Sequence, residues 1–382
     1  MTRRQFCLLS LLTAANRGIP KGQPPTTAMA PPFAFRHLSG SVCLIPSDDI
    51  PLASQLVLVL SWQHRISQLC PSALCYPWWT TNGCGLTLIA SAEDTAVLWQ
   101  AIATIAHPPD EAEVVAVQFA RHAAAGELHR WRHNPFIWLL WHARLMAMRQ
   151  PFAELDEDKP LQVSADRIAS LSRDIADRCL LVFFSPQGPP REVMSLRRRF
   201  LRSLSVGKSI TVARPTPSLT AALYWTVTDN DPVAGSVMNE LFGGGTGALW
   251  FQRLRGSRPL AYHALAHWQL TPTGGELALF AQCLPEHLPI IRAAARQLLE
   301  TVRRGQFSAA DFARAKRLAL LRHYQTLADP QQTLHAIALW RAAGHTVTEW
   351  QRLPERVQGL SLEAFQSFCA RLPITVTEVV AP

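Results

Sequence analysis

The chain has little that would mark a cysteine-based site. Its eight cysteines stand at positions 7, 43, 70, 75, 84, 179, 283 and 369, with no C-x-x-C pair and no Cys/His spacing of a structural zinc site. They read as free buried thiols in a reducing compartment, with a disulfide among Cys70, Cys75 and Cys84 left open. Charge is also sparse, at 17% of residues, though its balance is +9. Much of that excess falls in one stretch: Arg191, Arg197, Arg198, Arg199, Arg202, Lys208 and Arg214. Phe200 is the one aromatic residue among these cations, so the regular basic and aromatic interleaving of a nucleic-acid-binding module is missing. The stretch reads as a solvated basic helix near a linker. No segment has the length of a membrane span. Met1–Ala15 (M-T-R-R-Q-F-C-L-L-S-L-L-T-A-A) has a twin arginine and a short apolar run, which fits either a twin-arginine export signal or a poorly ordered leader. The first reading implies the periplasm and the second the cytoplasm. Residues 16–32 hold five prolines and read as linker.

What is present is a large apolar content. A hydrophobic fraction of 48% in 382 residues allows two domains with sizeable cores. Twelve tryptophans, several inside apolar runs such as Trp138 and Trp141, point to core and interface packing.

The chain reads as two copies of one plan, offset by about 195 residues. In the first copy a strand at Gly85–Ser91 precedes Glu93, a helix to Ala106, and a second helix from Asp110 through Arg132. In the second, a strand at Glu276–Cys283 precedes Glu286 and a helix to Arg304. Gly305 ends that helix, and Ser308 to Asp311 starts the next like a capping box, continuing to about Leu327. Opening strands are expected at Leu52–Trp62 and Leu219–Val227, and closing strands at Cys179–Phe184 and Ile374–Val380. The fold class is α+β: two homologous halves, each a mostly antiparallel sheet packed with helices. The domain expectation is a leader and linker at 1–32, a first domain at 33–204, a linker at 205–215 and a second domain at 216–382.

The most informative segment runs from Leu241 to Tyr262: L-F-G-G-G-T-G-A-L-W-F-Q-R-L-R-G-S-R-P-L-A-Y. Gly243, Gly244 and Gly245 end one apolar helix pattern and give freedom for positive φ and close approach. A short amphipathic turn follows, with Leu249, Trp250, Phe251 and Leu254 inside. Arg255 then stands seven residues before Tyr262. This segment resembles the C-terminal half of the pitrilysin/insulysin family of zinc peptidases, the inverzincins. There a G-G-G turn leads into an L-F-Q-x-L-R helix and then R-G-L-A-Y. The resemblance covers the chain from about Phe33 and is strongest from Val237 to Leu327. It implies the same two-half architecture, and it implies that Arg255 and Tyr262 reach a substrate backbone. On the residues alone, Arg255 reads as a solvated helix residue and Tyr262 as a core strand residue.

The family's peptidases carry H-x-x-E-H, which this sequence lacks. The nearest remnant is His64-Arg-Ile-Ser67-Gln68, in which Ser67 stands for the base and Gln68 for the second ligand. Glu127, before Asn134-Pro135, matches the distal Glu of the family. One His and one Glu fall short of the three protein ligands of a catalytic zinc. His64 then reads as a surface or capping residue and Glu127 as a solvated helix residue. His122, His129 and His133 share a helix, and the i, i+4 pair His129/His133 has no Glu base between its members.

The resemblance therefore implies a non-catalytic subunit with no metal of its own. Zinc would sit in a homologous partner carrying H-x-x-E-H, and this chain would supply the Arg/Tyr pair for a peptide substrate. It is also similar to the metal-free C-terminal half of the longer peptidase of pyrroloquinoline quinone biosynthesis, so trimming of a modified peptide is one expected role. The alternative is a structural scaffold subunit with the insulysin fold and no catalytic role. No nucleic-acid partner and no membrane span are expected.

Overall fold

The computed structural model describes residues 38–382 apart from internal stretches, the longest being 47–49, 102–111, 175–179, 195–205 and 213–218. The leader, and most of the helix expected after Glu93, lie outside the described residues. The first half contains strand β1 (Leu38–Pro46), helix α1 (Leu52–Leu69), and the hairpin β2 (Leu74–Thr80) and β3 (Gly83–Ser91). Helices α2 (Ala112–His133), α3 (Pro135–Met148) and α4 (Ala165–Asp174) follow, then β4 (Leu180–Ser185) and β5 (Gly188–Met194). The second half contains β6 (Ser209–Thr211), β7 (Thr220–Thr228), α5 (Pro232–Gly243), α6 (Leu249–Arg255), β8 (His263–Thr271) and β9 (Gly274–Cys283). It ends with α7 (Leu288–Arg303), α8 (Ala309–Leu327), α9 (Pro330–Ala342), α10 (Val347–Gln351), α11 (Leu353–Gly359), α12 (Leu362–Ala370) and β10 (Thr377–Ala381).

The two sheets have orders β2-β3-β1-β4-β5 and β8-β9-β7-β10-β6. Four strands of each correspond in order and connection, and all of these pair antiparallel. The fifth differs. β5 forms an antiparallel hairpin with β4, whereas β6 joins β10 in parallel. The repeat can be set in register at two points. Thr80 pairs with Gly83 and its Oγ1 donates to the Gly83 carbonyl at 3.3 Å; Thr271 does the same to Gly274 at 3.0 Å. Helix α3 starts at Asn134-Pro135 and α9 at Asp329-Pro330, each with the first residue's side chain capping the helix. Positions 80 and 271 differ by 191, and positions 134 and 329 by 195.

Two expectations from sequence are corrected here. Leu52–Trp62 is the first part of helix α1, and the opening strand is β1. The run L-A-S-Q-L-V-L-V-L-S-W is buried on every side, from Leu52 to Trp62. An all-apolar helix leaves no polar stripe, so its period cannot be told from that of a buried strand. Its polar members bond locally: Gln55 Nε2 donates to the Ile50 carbonyl at 2.8 Å and Ser61 Oγ to that of Leu58 at 2.7 Å. Second, Arg191 of the basic stretch lies on strand β5, and Lys208 just precedes β6. Residues 197–202 and Arg214 fall outside the described residues.

In each half the helix after the opening strand packs on the long helix after the hairpin: α1 on α2, and α5 on α8. The next helix crosses to the other half. Helix α3 covers β7 and β10, placing Leu139, Leu140, Ala143 and Ala147 against Ala221, Leu223, Trp225 and Val379. Helix α9 reciprocally covers β1 and β3, and Leu334 comes so close to Gly40 that an added Cβ would stand 2.5 Å from its Cδ1. One crossing is also ionic. Arg144 of α3 donates to Glu276 of β9 at 3.1 Å, both side chains almost fully buried, and Trp225 Nε1 donates to the same carboxylate oxygen at 3.3 Å.

Candidate functional site

The glycine turn joins α5 to α6. Asp231 caps α5 by accepting from the Val233 and Ala234 amides, and Pro232 occupies the first helical position. At the other end the three glycines do different work. A Cβ on Gly243 would stand 2.5 Å from the Ala266 carbonyl oxygen, so its absence lets α5 lie against β8. Gly244 caps the helix through its amide to the Glu240 carbonyl at 3.0 Å. Gly245 has φ +79°, in the left-handed region where glycine is favoured.

The chain then enters α6, a helix of seven residues, whose Trp250 and Leu254 are fully buried. Trp250 Nε1 donates to the Phe280 carbonyl of β9 at 2.8 Å, which pins the helix to the sheet. The face opposite this anchor carries Arg255. Its guanidinium donates to the Tyr262 carbonyl at 3.0 Å and lies 5.4 Å from the centre of the Phe251 ring. Tyr262 directly precedes β8, with its amide donating to the Gln282 carbonyl at 2.8 Å. The backbone of Tyr262 is thus fixed by the sheet, while its side chain is 54% exposed. The residues alone read this ring as part of a core strand and the resemblance has it reach outward; the structure places it in solvent. Arg255 and Tyr262 come together through the guanidinium bond to the Tyr262 carbonyl, with the tyrosine exposed.

In the first half, His64 lies on the last turns of α1, stacked on Phe119 of α2 at 4.3 Å between ring centres. Its Nε2 is 3.0 Å from the Gln68 side-chain nitrogen, and Ser67 Oγ donates to the Gln63 carbonyl at 2.8 Å. Glu127 is eight residues farther along α2 than Phe119, about 12 Å at 1.5 Å per residue. It is engaged within its own helix, accepting from Trp131 Nε1 at 2.8 Å and from Arg130. The structure therefore does not bring His64 and Glu127 together, and Glu127 is part-buried rather than solvated. His129 and His133 do meet, with rings 4.6 Å apart, beside Glu157, which also pairs with Arg132. Among the described residues no group of three or more His, Cys, Asp or Glu side chains is arranged to hold a metal ion. The space beside Glu127 is occupied by indoles instead. Trp131 stacks on Trp141 at 4.9 Å and 4°, and Trp79 meets Trp131 edge-on at 6.0 Å. A zinc ion does not fit these residues.

That tryptophan cluster was not foreseen from sequence. Its signal was the unusual tryptophan count together with the repeat: with the two registers above, Trp79, Trp131 and Trp141 correspond to Leu270, Thr326 and Ala336. All three of the latter line a cavity of about 420 Å³ in the second half.

With this geometry in view, the comparisons with known proteins are specific. Residues 175–319 match the family described as the peptidase M16 inactive domain. An uncharacterized zinc protease of Mycobacterium tuberculosis is 33% identical over 81 residues, which is 21% of this chain and 18% of that relative. The chain thus matches under a fifth of the length of the curated relative. The fold is that of a crystal structure of a peptidase M16 inactive domain from Pseudomonas fluorescens, with TM-score 0.68 at 12% identity, covering 90% of this chain and 92% of that one. The periplasmic protease PqqL of Escherichia coli superposes with TM-score 0.62 at 12% identity over 100% of this chain and 50% of its own. Among the described residues no helix is long and apolar enough to cross a membrane.

Proposed function

We propose that this chain, whose residues 175–319 carry the peptidase M16 inactive domain, is the non-catalytic subunit of a two-subunit zinc peptidase. Its partner is a homologue with an intact H-x-x-E-H. The chain contributes Arg255 and Tyr262 to a peptide held at the partner's metal. The observation that carries this reading is the rigid, solvent-facing Arg255–Tyr262 pair in a chain whose own first-half site is filled by tryptophan.

The chemistry follows from the two side chains. The guanidinium keeps its charge at any physiological pH, and its bond to the Tyr262 carbonyl fixes one edge while leaving other donors outward. The phenol adds a neutral donor. Together they can hold successive carbonyls of an extended peptide and stabilise negative charge as it develops on the one under attack. The attacking water is activated in the partner. The substrate we propose is of the modified-peptide type, as in pyrroloquinoline quinone biosynthesis, a reading that rests on the resemblance carried by the Leu241–Tyr262 segment.

The test is reconstitution with an H-x-x-E-H homologue encoded beside this chain. Tyr262→Phe removes one hydroxyl from an exposed ring and should leave assembly intact while slowing peptide cleavage about a hundredfold, the scale of a lost oxyanion donor. Arg255→Ala should act in the same direction and also weaken substrate binding. Cleavage unchanged in both variants, in complexes shown to be assembled, would leave the chain a scaffold.

A further inference from the structure

The cavity in the second half carries an inference separate from peptide cleavage. It lies between α5, β8, α8 and α9, the position that in the first half lies beside α1, β2, α2 and α3. The chain itself shows what fits there. In the first half three indoles fill the space, and the buried N–H of one, Trp131, is taken by a carboxylate on a neighbouring turn. In the second half the equivalent side chains are small or lack a ring, and the space is open.

The walls that remain are suited to a planar ring. Trp268, Trp340 and Trp350 contribute aromatic surface, and His335 is backed by Trp78 of β2 at 4.5 Å. Polar groups are few and distinct. Glu240 is 3% exposed, and its Oε1 accepts from Asn239 at 2.8 Å with Arg322 at 3.6 Å. A carboxylate has lone pairs for further donors. Trp340 Nε1, a donor only, finds no partner among the described residues, and neither does His335 Nε2. A bound molecule carrying an acceptor would give the Trp340 N–H a partner. The volume is within the range of small-molecule sites, and a mostly apolar wall with a few placed polar groups is their usual make-up.

We propose that this cavity binds a planar aromatic group bearing an N–H donor, an indole in its simplest form, with Glu240 accepting the N–H. Two sources share that chemistry: a free indole-type molecule and the tryptophyl side chain of a peptide. The site is distinct from Arg255 and Tyr262. Tyr262 precedes Trp268 by six residues of extended chain, about 20 Å, so failure here leaves the subunit reading untouched and the reverse also holds.

The experiment is calorimetric titration of the full chain, without any partner, with indole, 1-methylindole and N-acetyltryptophan amide. Saturable binding of indole is expected, weakened about tenfold for 1-methylindole, which lacks the donor. A free-indole site binds the amide no better than indole. A tryptophyl site binds the amide about fivefold more tightly, because its carbonyls can take the Trp340 N–H. Ala336→Trp and Thr326→Trp copy the first half's filling and should each abolish binding in protein whose circular dichroism is unchanged. Absence of saturable binding by wild-type protein, equal affinity for indole and 1-methylindole, or binding that survives a folded filling variant overturns the proposal. The methylindole comparison needs no variant, so it stands even if both fail to fold.

Discussion

The two halves share four strands and the helices that pack on them in the same order and treat the same internal position in opposite ways. The first half fills the space with Trp79, Trp131 and Trp141 and closes Glu127 onto its own helix. The second half puts Leu270, Thr326 and Ala336 there and leaves a cavity bounded by Glu240 and three histidines. The α+β frame is therefore indifferent to whether this position is packed or open. What the frame requires lies elsewhere: the helix pair α1/α2 or α5/α8, the hairpin closed by Thr80 or Thr271, and the helix each half sends across to the other's sheet.

The crossing helices give the largest predicted effect. At the α3 crossing the contact is a buried ion pair, Arg144–Glu276. The equivalent positions at the α9 crossing are Leu339 and Gly85. Removing one partner of a buried pair strands a charge, so Arg144→Ala should lower unfolding free energy by roughly 3–5 kcal/mol in urea. The double change Arg144→Met with Glu276→Gln should recover most of that loss. A small effect of the single change would mean that the halves are held by their apolar faces alone.

Next in size is the filled site itself. Trp141 is 3% exposed and stacked on Trp131. Trp141→Ala should cost about 3 kcal/mol, the lower end for a buried aromatic truncated to alanine. Its repeat counterpart is already alanine, so Ala336→Gly should be far milder. Similar losses at both positions would contradict the filled-versus-open distinction.

Acid should separate the halves as well. Burial pushes His323 and His335 down to about 4; the positions equivalent to them in the first half are Leu128 and Leu140. In the unfolded chain these imidazoles titrate near 6.5. Between these values the unfolded state binds more protons, so stability is complete above about pH 6.5 and falls as pH drops toward 4. From pH 7 to pH 5 the loss should be about 1–2 kcal/mol per histidine at most. Burial lowers His142 of α3 as well, so hydrogen exchange should show α8 and α9 loosening before α2, and His335→Leu should flatten the dependence.

How far these features could be read from sequence depended on how local their causes are. The strands Gly85–Ser91, Leu219–Val227 and Glu276–Cys283 and the box at Ser308 and Asp311 were legible because short apolar runs rich in strand formers, and capping, are encoded within a few residues. Helix α1 was misread because burial on every side erases the period. The exposure of Tyr262 was to be expected only from the family resemblance, since the residues alone read as a core strand. The tryptophan cluster joins three elements, and Arg144 meets Glu276 across 132 positions, so neither leaves a local trace. The repeat could have supplied part of this: Asn134-Pro135 and Asp329-Pro330 are visible by eye and align Trp131 and Trp141 with Thr326 and Ala336.

The smallest effect compares those two helix starts. Asn134 accepts one amide, that of Ile137 at 3.2 Å. Asp329 accepts two, from Gln331 at 2.9 Å and Gln332 at 3.2 Å, and its second oxygen takes the Gln332 side chain at 2.9 Å. The aspartate also brings negative charge to the positive end of α9, which an amide cannot do. N-cap replacements by alanine cost about 0.5–2 kcal/mol. Asn134→Ala should fall at the low end and Asp329→Ala at the high end, with Asp329→Asn between them. Salt should narrow the gap between aspartate and asparagine, since only the charge term is screened. Equal losses for the two alanine variants at low salt would show that both crossing helices are held by their apolar contacts, with the caps interchangeable.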